Sequence, residues 1–218
     1  MVYNLGQHNS IMNDFISEIR DAEILKDSMR FRRNLERIGE IFAYEVSKVM
    51  EYELREFTTS LGAVEVPVLK NQPVIATILR AGLPFHQGIL NFFDRAQNAF
   101  VSAYRRHHKS GKFDIQIEYT SSPNLEDKVL IISDPMLATG SSMLLTYKQL
   151  LESGKPKHTH IISIIASAQG VDYLNRHMTE DDYTLWVAAV DDELTAQSYI
   201  VPGLGDAGDL AYGSKLKF

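Results

Sequence analysis

The chain has 218 residues, 44% hydrophobic and 23% charged, which is the composition of a folded protein and excludes general disorder. It contains no cysteine, which excludes disulfide scaffolds, zinc–thiolate sites and cysteine nucleophiles. A net charge of −6 argues against a nucleic-acid partner. No apolar run approaches the roughly 20 residues that span a bilayer, and the polar start lacks a signal pattern. We therefore expect a cytoplasmic protein that binds no membrane.

The first 53 residues are predicted to form a helical N-terminal extension. A first helix is expected to end near Asp21. A second helix is expected to begin near Ser28, because its apolar residues recur at intervals of three and four from Phe31 to Val49. This stripe predicts packing against a core or a second copy of the chain, so we expect a homodimer or a higher homo-oligomer.

Beyond residue 53 the sequence consists of short β-rich runs separated by helical stretches. Weak alternation over 56–69, broken at Leu61-Gly62, predicts a hairpin. Further strands are predicted at 74–79, 99–104, 113–119, 129–133, 161–166 and 185–190, and helices at 83–93, 141–152 and 168–177. This alternation predicts an α/β fold, with a central parallel sheet flanked by helices, in a single domain over 1–218. Ligands of such sheets bind beyond the carboxyl ends of the strands.

Two predicted strands end in groups that suit a phosphorylated ligand. Arg80 follows the first of them and lies beside Gly82, so it can offer a guanidinium to a phosphate; a surface arginine at a tight turn is the alternative. Asp134 follows the second and can bind ribose hydroxyls directly or through Mg²⁺. The backbone N–H groups of 137–142 and the helix after them can hold a phosphate. A plain strand-to-helix turn would not explain the acid.

Three motifs in this order resemble one family. The apolar strand followed by DPMLATG at 134–140 resembles the ribose-5-phosphate loop of type I phosphoribosyltransferases, and its Asp-Pro form resembles uracil phosphoribosyltransferases in particular. ILRAGL at 78–83 resembles the pyrophosphate-contacting segment of that family. YIVPGLGDAGD at 199–209 resembles its uracil-binding segment, which implies that the C-terminal segment 191–218 binds the base.

The resemblance implies the transfer of a phosphoribosyl group from phosphoribosyl pyrophosphate (PRPP) to uracil, which yields UMP and pyrophosphate in pyrimidine salvage. It places PRPP at Arg80, Arg105, Asp134, Pro135, Met136, Leu137, Ala138, Thr139, Gly140, Ser141, Ser142 and Asp206. It places uracil at Ile200, Gly205, Asp206 and Ala207. It assigns catalytic roles to Asp134, Arg105 and Asp206. Mg²⁺ is expected as cofactor, bound through PRPP rather than by direct side-chain ligation, with Asp134 as a further candidate.

Two other interpretations stay open at this point. One is a phosphoribosyltransferase for a different base. The other is a regulatory protein of the same fold that binds a nucleotide or PRPP without turnover. Departures from the family pattern favour the second: Ser141 stands where glycine is usual, and Leu210 stands where arginine often follows.

Overall fold

The computed structural model describes residues 1–107 and 113–215, with backbone only for 104–107 and 113–115. The helices within these ranges are α1 Met12–Arg20, α2 Ser28–Ser47, α3 Leu83–Phe92, α4 Ser141–Leu150, α5 Ala168–His177 and α6 Ala207–Tyr212. The strands are β1 Val2–Asn4, β2 Tyr52–Thr59, β3 Gly62–Leu69, β4 Val74–Leu79, β5 Gln97–His107, β6 Phe113–Ser121, β7 Val129–Ser133, β8 Met136–Leu137, β9 His158–Ser167, β10 Tyr183–Asp191, β11 Glu193–Leu194 and β12 Ile200–Val201.

The main sheet has the strand order β1-β10-β9-β7-β4-β5-β6, and β8 also pairs with β9. Neighbouring strands are parallel except β5 and β6, which form an antiparallel pair at one edge. The prediction of an α/β fold with a largely parallel central sheet is confirmed. Because β4 and β7 are direct neighbours, their carboxyl ends lie side by side.

Helices cover both faces of this sheet. On one face Ile75 and Ile131 pack with apolar residues of α1, α2 and α3. On the other face Ala76 and Ile132 pack with residues of α4 and α5. Strands that are buried on both faces need apolar residues at every position, which explains the nearly continuous apolar runs in β4 and β7.

The N-terminal residues differ from the prediction. Val2–Asn4 is a strand rather than helix, and it pairs in parallel with Leu185–Val187 of β10. The ring of Tyr3 stacks on that of Trp186, with centroids 4.4 Å apart. A strand of three residues is too short to produce a periodic signal, and it forms here because β10 offers it a partner.

The predicted hairpin is present but longer, since β2 begins at Tyr52 and pairs with β3 through to Thr59 opposite Gly62. Much of its apolar surface is exposed, including Leu54 at 65% and Leu61 at 98%. The apolar stripe of α2, by contrast, is buried within its own chain. No helix of the described ranges is long and apolar enough to cross a membrane.

Helices α2 and α3 approach closely through a pair of glycines. A Cβ on Gly88 of α3 would clash with the carbonyl oxygen of Glu36, and one on Gly39 of α2 would clash with the carbonyl oxygen of Phe85. The two helix backbones are therefore in direct contact, and neither glycine has room for a side chain.

We expect Gly88→Ala to lower the free energy of unfolding by about 1–3 kcal/mol, the usual cost of overpacking. The sign of this change in the free energy of unfolding distinguishes a crowded position from an open one, because glycine to alanine at an uncrowded helix position stabilises by up to about 1 kcal/mol. Urea unfolding curves measure the difference. Gln87→Ala, at the exposed neighbouring position, is the control and should change stability little. Equal or greater stability of Gly88→Ala would contradict the contact.

Candidate active site

The carboxyl ends of β4 and β7 are joined by two buried hydrogen bonds. The Thr77 hydroxyl donates to the carbonyl oxygen of Ser133 at 3.1 Å, and the Ser133 hydroxyl donates to the carbonyl oxygen of Ala76 at 3.1 Å. Arg80 and Asp134 follow these strands within a few residues. The structure therefore brings both sequence-predicted residues to the same edge of the sheet.

The backbone after β7 is fixed to β9. The N–H of Asp134 donates to Ile162, and the carbonyl oxygen of Pro135 accepts from the N–H groups of Ile164 and Ile165 at 3.1 and 3.0 Å. The start of the loop is therefore anchored to β9 directly beyond the end of β7.

The middle of the loop packs against the start of α5. The carbonyl oxygen of Ala138 accepts from the Ser167 hydroxyl, which in turn accepts from the N–H of Gly170. A Cβ on Gly170 would clash with the Ala138 carbonyl, so α5 meets the loop backbone directly. The backbone of the loop is therefore fixed to the start of α5.

Gly140 turns this loop into α4. Its φ of +78° is left-handed, which favours glycine. Within the described chain no side chain caps α4, although the N–H of Ser141 lies 3.4 Å from the Thr139 hydroxyl. The first N–H groups of an α-helix lack partners inside the helix, so this end can bind an anion.

Burial raises the pKa of Asp134 from the ordinary value of 3.8 to about 7, while the N–H of Met136, which donates to it, acts in the opposite direction. The residue is half-buried, and the charged form of a carboxyl is less stable there than in water. A carboxyl that titrates near neutrality both accepts and donates hydrogen bonds. This property suits a group that faces ligand hydroxyls.

Arg80 makes an ion pair that the sequence did not indicate. Its Nη2 lies 3.2 Å from the carboxylate of Asp209 and 3.3 Å from the carbonyl oxygen of Gly213. Its Nε is buried and has no partner among the residues that the structure describes. Arg80 is therefore held in place through one nitrogen, with further donors left for a ligand.

The C-terminal segment folds back onto the same edge. Ile200, Leu204 and Ala207 are buried in the apolar cluster against which Met136 and Ala138 of the loop also pack. Asp206 caps α6, since its carboxylate accepts from the N–H of Asp209 at 3.0 Å. Ile200 and Ala207, two of the four residues that the sequence assigned to the base, thus share an apolar cluster with the candidate phosphate loop, and Gly205 and Asp206 lie between them along the chain.

Gly205, which the resemblance assigns to the base, adopts a left-handed backbone conformation. Its φ of +95° is disfavoured for any other residue. No heavy atom of the described part of the chain lies within 4 Å of where its Cβ would stand. Its backbone therefore faces open space.

The assignment of Arg105 falls partly outside the described residues. Its backbone belongs to β5, in which Ser102 is already opposite the last residue of β4, so Arg105 lies beyond the end of β4. Its side chain and residues 108–112 of the basic loop are not among the described residues.

Sequence reasoning missed a buried ion pair next to these groups. Arg20 of α1 contacts both carboxylate oxygens of Asp191, at 2.8 and 2.9 Å. The same carboxylate accepts from the N–H of Gly203 at 2.9 Å. An acid at the end of an apolar strand was the signal that identified Asp134, and Asp191 at the end of β10 carries it too.

A cavity of about 540 Å³ lies at the opposite, amino end of the strands, lined in part by His158, His160, Lys157 and Trp186. Burial lowers the pKa of His160 to about 3, and its Nδ1 accepts from the Trp186 indole N–H at 3.2 Å. The cavity contains none of the candidate residues in the described ranges. The candidate residues Arg80 and Asp134 lie instead at the carboxyl edge of the sheet.

The family model for uracil phosphoribosyltransferase matches residues 7–214. A uracil phosphoribosyltransferase of Porphyromonas gingivalis is 60% identical over 215 residues, which is 99% of each chain. That of Pyrococcus furiosus is 36% identical over 99% of this chain and 91% of its own. Among solved structures, the AQ2163 protein of Aquifex aeolicus has a TM-score of 0.86 at 27% identity, with full coverage of both chains.

The fold and these relatives define the chain as a phosphoribosyltransferase, a class of pentosyltransferase. Within that class it belongs to the uracil phosphoribosyltransferase family. The resemblance stated from three motifs is confirmed over nearly the whole chain.

The raised pKa of Asp134 predicts a pH-dependent stability. Since the folded state holds this proton more tightly than the unfolded chain, the free energy of unfolding falls as pH rises from about 4 to about 7. Asp134→Asn removes this loss. We expect the variant and the wild type to melt together near pH 4, and the ligand-free variant to melt several degrees higher at pH 8, because ionising a carboxyl whose pKa is raised to about 7 costs several kcal/mol.

Thermal unfolding across this pH range provides the measurement. Asp181→Asn, an exposed acid at the other end of the sheet, is the matched control and should show no such divergence. A constant difference between Asp134→Asn and wild type from pH 4 to pH 8 would show that the carboxyl titrates normally.

Proposed function

We propose that this chain transfers the phosphoribosyl group of PRPP to N1 of uracil, with UMP and pyrophosphate as products, at the carboxyl edge of its sheet. The convergence of Arg80, the loop 134–142 and the segment 200–207 at this edge is the observation that carries the proposal. Each is separately suited to one part of the two substrates.

The 5′-phosphate of PRPP is assigned to residues 137–142. The first turn of α4 offers N–H groups that point out of the helix, and Thr139, Ser141 and Ser142 add hydroxyls. Serine in place of the usual glycine at 141 keeps the backbone donor. The departure from the family pattern therefore does not remove the phosphate site.

The pyrophosphate group is assigned to Arg80 and Arg105. Arg80 follows β4, and Arg105 lies in the parallel neighbour β5 beyond the end of β4. A guanidinium can bind two oxygens of a phosphate at once. For Arg80 the support is its anchored Nη2 together with its buried Nε, which has no partner within the described ranges. Cationic groups in this position stabilise the negative charge that develops as pyrophosphate departs.

Mg²⁺ belongs to the proposal as cofactor. In the described ranges no three ligating side chains converge. Mg²⁺ is commonly held by one or two carboxylates together with substrate phosphates and water, so the Asp134 carboxyl and the oxygens of PRPP fit it. When bound, the ion neutralises phosphate charge. Asp134 holds the ribose hydroxyls.

Uracil is assigned to Ile200, Gly205, Asp206 and Ala207. Between Val201 and Gly208 the only charged side chain is Asp206, and there is no Asn, Gln or Arg to pair with a base edge. The carboxylate of Asp206 already accepts from the N–H of Asp209. Recognition then falls to backbone donors and acceptors, which can pair with the two carbonyls and the N3–H of uracil.

These residues act by orientation and by charge stabilisation. A glycosyl transfer with an oxocarbenium-like transition state requires little covalent work from the protein, provided that the base and ribose C1 are aligned. The loop is already fixed to β9 and α5, so it need not be reorganised for the reaction.

The direct test is formation of UMP from labelled uracil with PRPP and Mg²⁺, beside a panel containing cytosine, hypoxanthine and adenine. We expect turnover with uracil alone. Turnover with another base at a comparable kcat/KM would favour the alternative specificity. Binding of PRPP or UMP by calorimetry without any turnover would favour the regulatory alternative.

Backbone recognition predicts an unusual pattern among variants of the base segment. We expect Gly205→Val to lower kcat/KM for uracil by at least about 100-fold, because valine tolerates neither the positive φ nor close approach of a base. Asp206→Asn should lower kcat or raise KM for PRPP, while the ratio of kcat/KM for uracil to that for cytosine stays the same. Ile200→Val is the mild control, as it retains main-chain groups and most of the volume.

Steady-state kinetics with uracil and cytosine give the measurement. If Asp206→Asn changed the base preference while Gly205→Val was tolerated, side chains would read the base and the pocket would lie elsewhere.

The proposal includes a cytoplasmic homodimer or higher homo-oligomer that acts as one domain per chain. The apolar stripe of α2 is buried within the chain and so does not support an oligomer. The support is the β2–β3 hairpin, in which the apolar side chains of Leu54, Phe57 and Leu61 are exposed. Sedimentation equilibrium should give a mass at least twice the 24.6 kDa of the chain. A measured mass of 24.6 kDa, that of a single chain, would refute the proposed oligomer.

A further inference from the structure

The base segment is held to the rest of the chain at three places. At its start, Ile200 of β12 pairs with Leu194 of β11. At its end, Arg80 pairs with Asp209 of α6. Between them, the hydrogen bonds that hold residues 202–205 to other described residues involve the Arg20–Asp191 ion pair.

This ion pair holds both polar groups of one peptide residue. The carboxylate of Asp191 accepts from the N–H of Gly203 at 2.9 Å, and Nη1 of Arg20 lies 3.4 Å from the carbonyl oxygen of Gly203. Gly203 has a φ of +53°, and a Cβ there would clash with the carbonyl oxygen of Ile200. The turn therefore packs tightly against Ile200 at Gly203, the same residue that the ion pair hydrogen-bonds.

The pair is built as a rigid element. Arg20 is bidentate on Asp191, a geometry that fixes both side chains, and the two are only 22% and 9% exposed. A carboxylate taken this far out of water requires such partners, and breaking a largely buried pair leaves an uncompensated charge. Asp191 is the last residue of β10, so its hydrogen bond to Gly203 fixes the position of the turn relative to the central sheet.

We propose that Arg20 and Asp191 are positioning residues for base recognition: they fix the turn at Gly203 so that the backbone of Gly205–Ala207 meets the uracil edge. Neither side chain need touch the base. This inference rests on the proposed assignment of uracil to this segment. It also gives the N-terminal extension a part in the site, since Arg20 lies in the last turn of α1.

The proposal predicts an effect mainly on one substrate. The PRPP loop is anchored independently to β9 and α5, so loss of the pair should leave it in place. We expect Arg20→Gln and Asp191→Asn to raise KM for uracil at least about tenfold and KM for PRPP by a much smaller factor, because Asp206 is the one PRPP residue in the displaced segment. Arg20→Lys should fall between these variants and wild type, because lysine cannot hold two carboxylate oxygens and a carbonyl together.

A second ion pair of the same helix provides the matched control. Arg30 contacts both oxygens of Glu18 at 2.6 and 2.7 Å, and it ties α1 to α2 without contacting the base segment. Arg30→Gln removes a similar bidentate contact. It should lower the melting temperature and leave both KM values unchanged.

Steady-state kinetics of these variants, each checked by circular dichroism for a folded state, decide the question. If Arg20→Gln does not fold, Arg20→Lys and Asp191→Asn carry the test. Equal rises in both KM values, an unchanged KM for uracil, or a uracil-specific rise in Arg30→Gln would each overturn the proposal.

Gly205→Val in the same series separates this inference from the assignment on which it rests. If Gly205→Val weakens the use of uracil and the variants of the ion pair do not, the positioning role alone fails. If neither changes the use of uracil, the assignment of the base to this segment fails.

Discussion

The site depends on the parallel pairing of β4 with β7, whose ends are locked to each other by Thr77 and Ser133. Both side chains are fully buried, where hydrogen bonds are stronger than in water and an unmade one is costly. This lock sets the register of the two strands. Arg80 and Asp134 then emerge at one edge, and their proximity is decided by the sheet rather than by the loops that carry them.

The C-terminal segment reaches this edge by a combination of apolar and polar contacts. Ile200, Leu204 and Ala207 supply buried area, which is the main source of free energy for keeping the segment in place. The partly exposed pair of Arg80 with Asp209 adds little stability of its own. Its contribution is orientation, since it fixes both the guanidinium and the start of α6.

The agreement between sequence and structure varies with the kind of signal. Strands 74–79 and 129–133 and helix 168–177 were predicted with their observed bounds, because long apolar runs and helical periodicity survive any tertiary context. Val2–Asn4 and the two-residue strands β11 and β12 were missed, since elements of two or three residues form only where a neighbouring strand accepts them.

The sequence by itself determined which residues follow the strands: an arginine after β4, an acid and a small-residue loop after β7, and a glycine-rich segment near the C-terminus. These patterns are local, so they can be read from adjacent positions. Only the tertiary structure decided that Arg80 meets Asp209, 129 positions away, and that Arg20 meets Asp191, 171 positions away. It also decided the raised pKa of Asp134, because burial is a property of the surroundings that the chain creates when it folds.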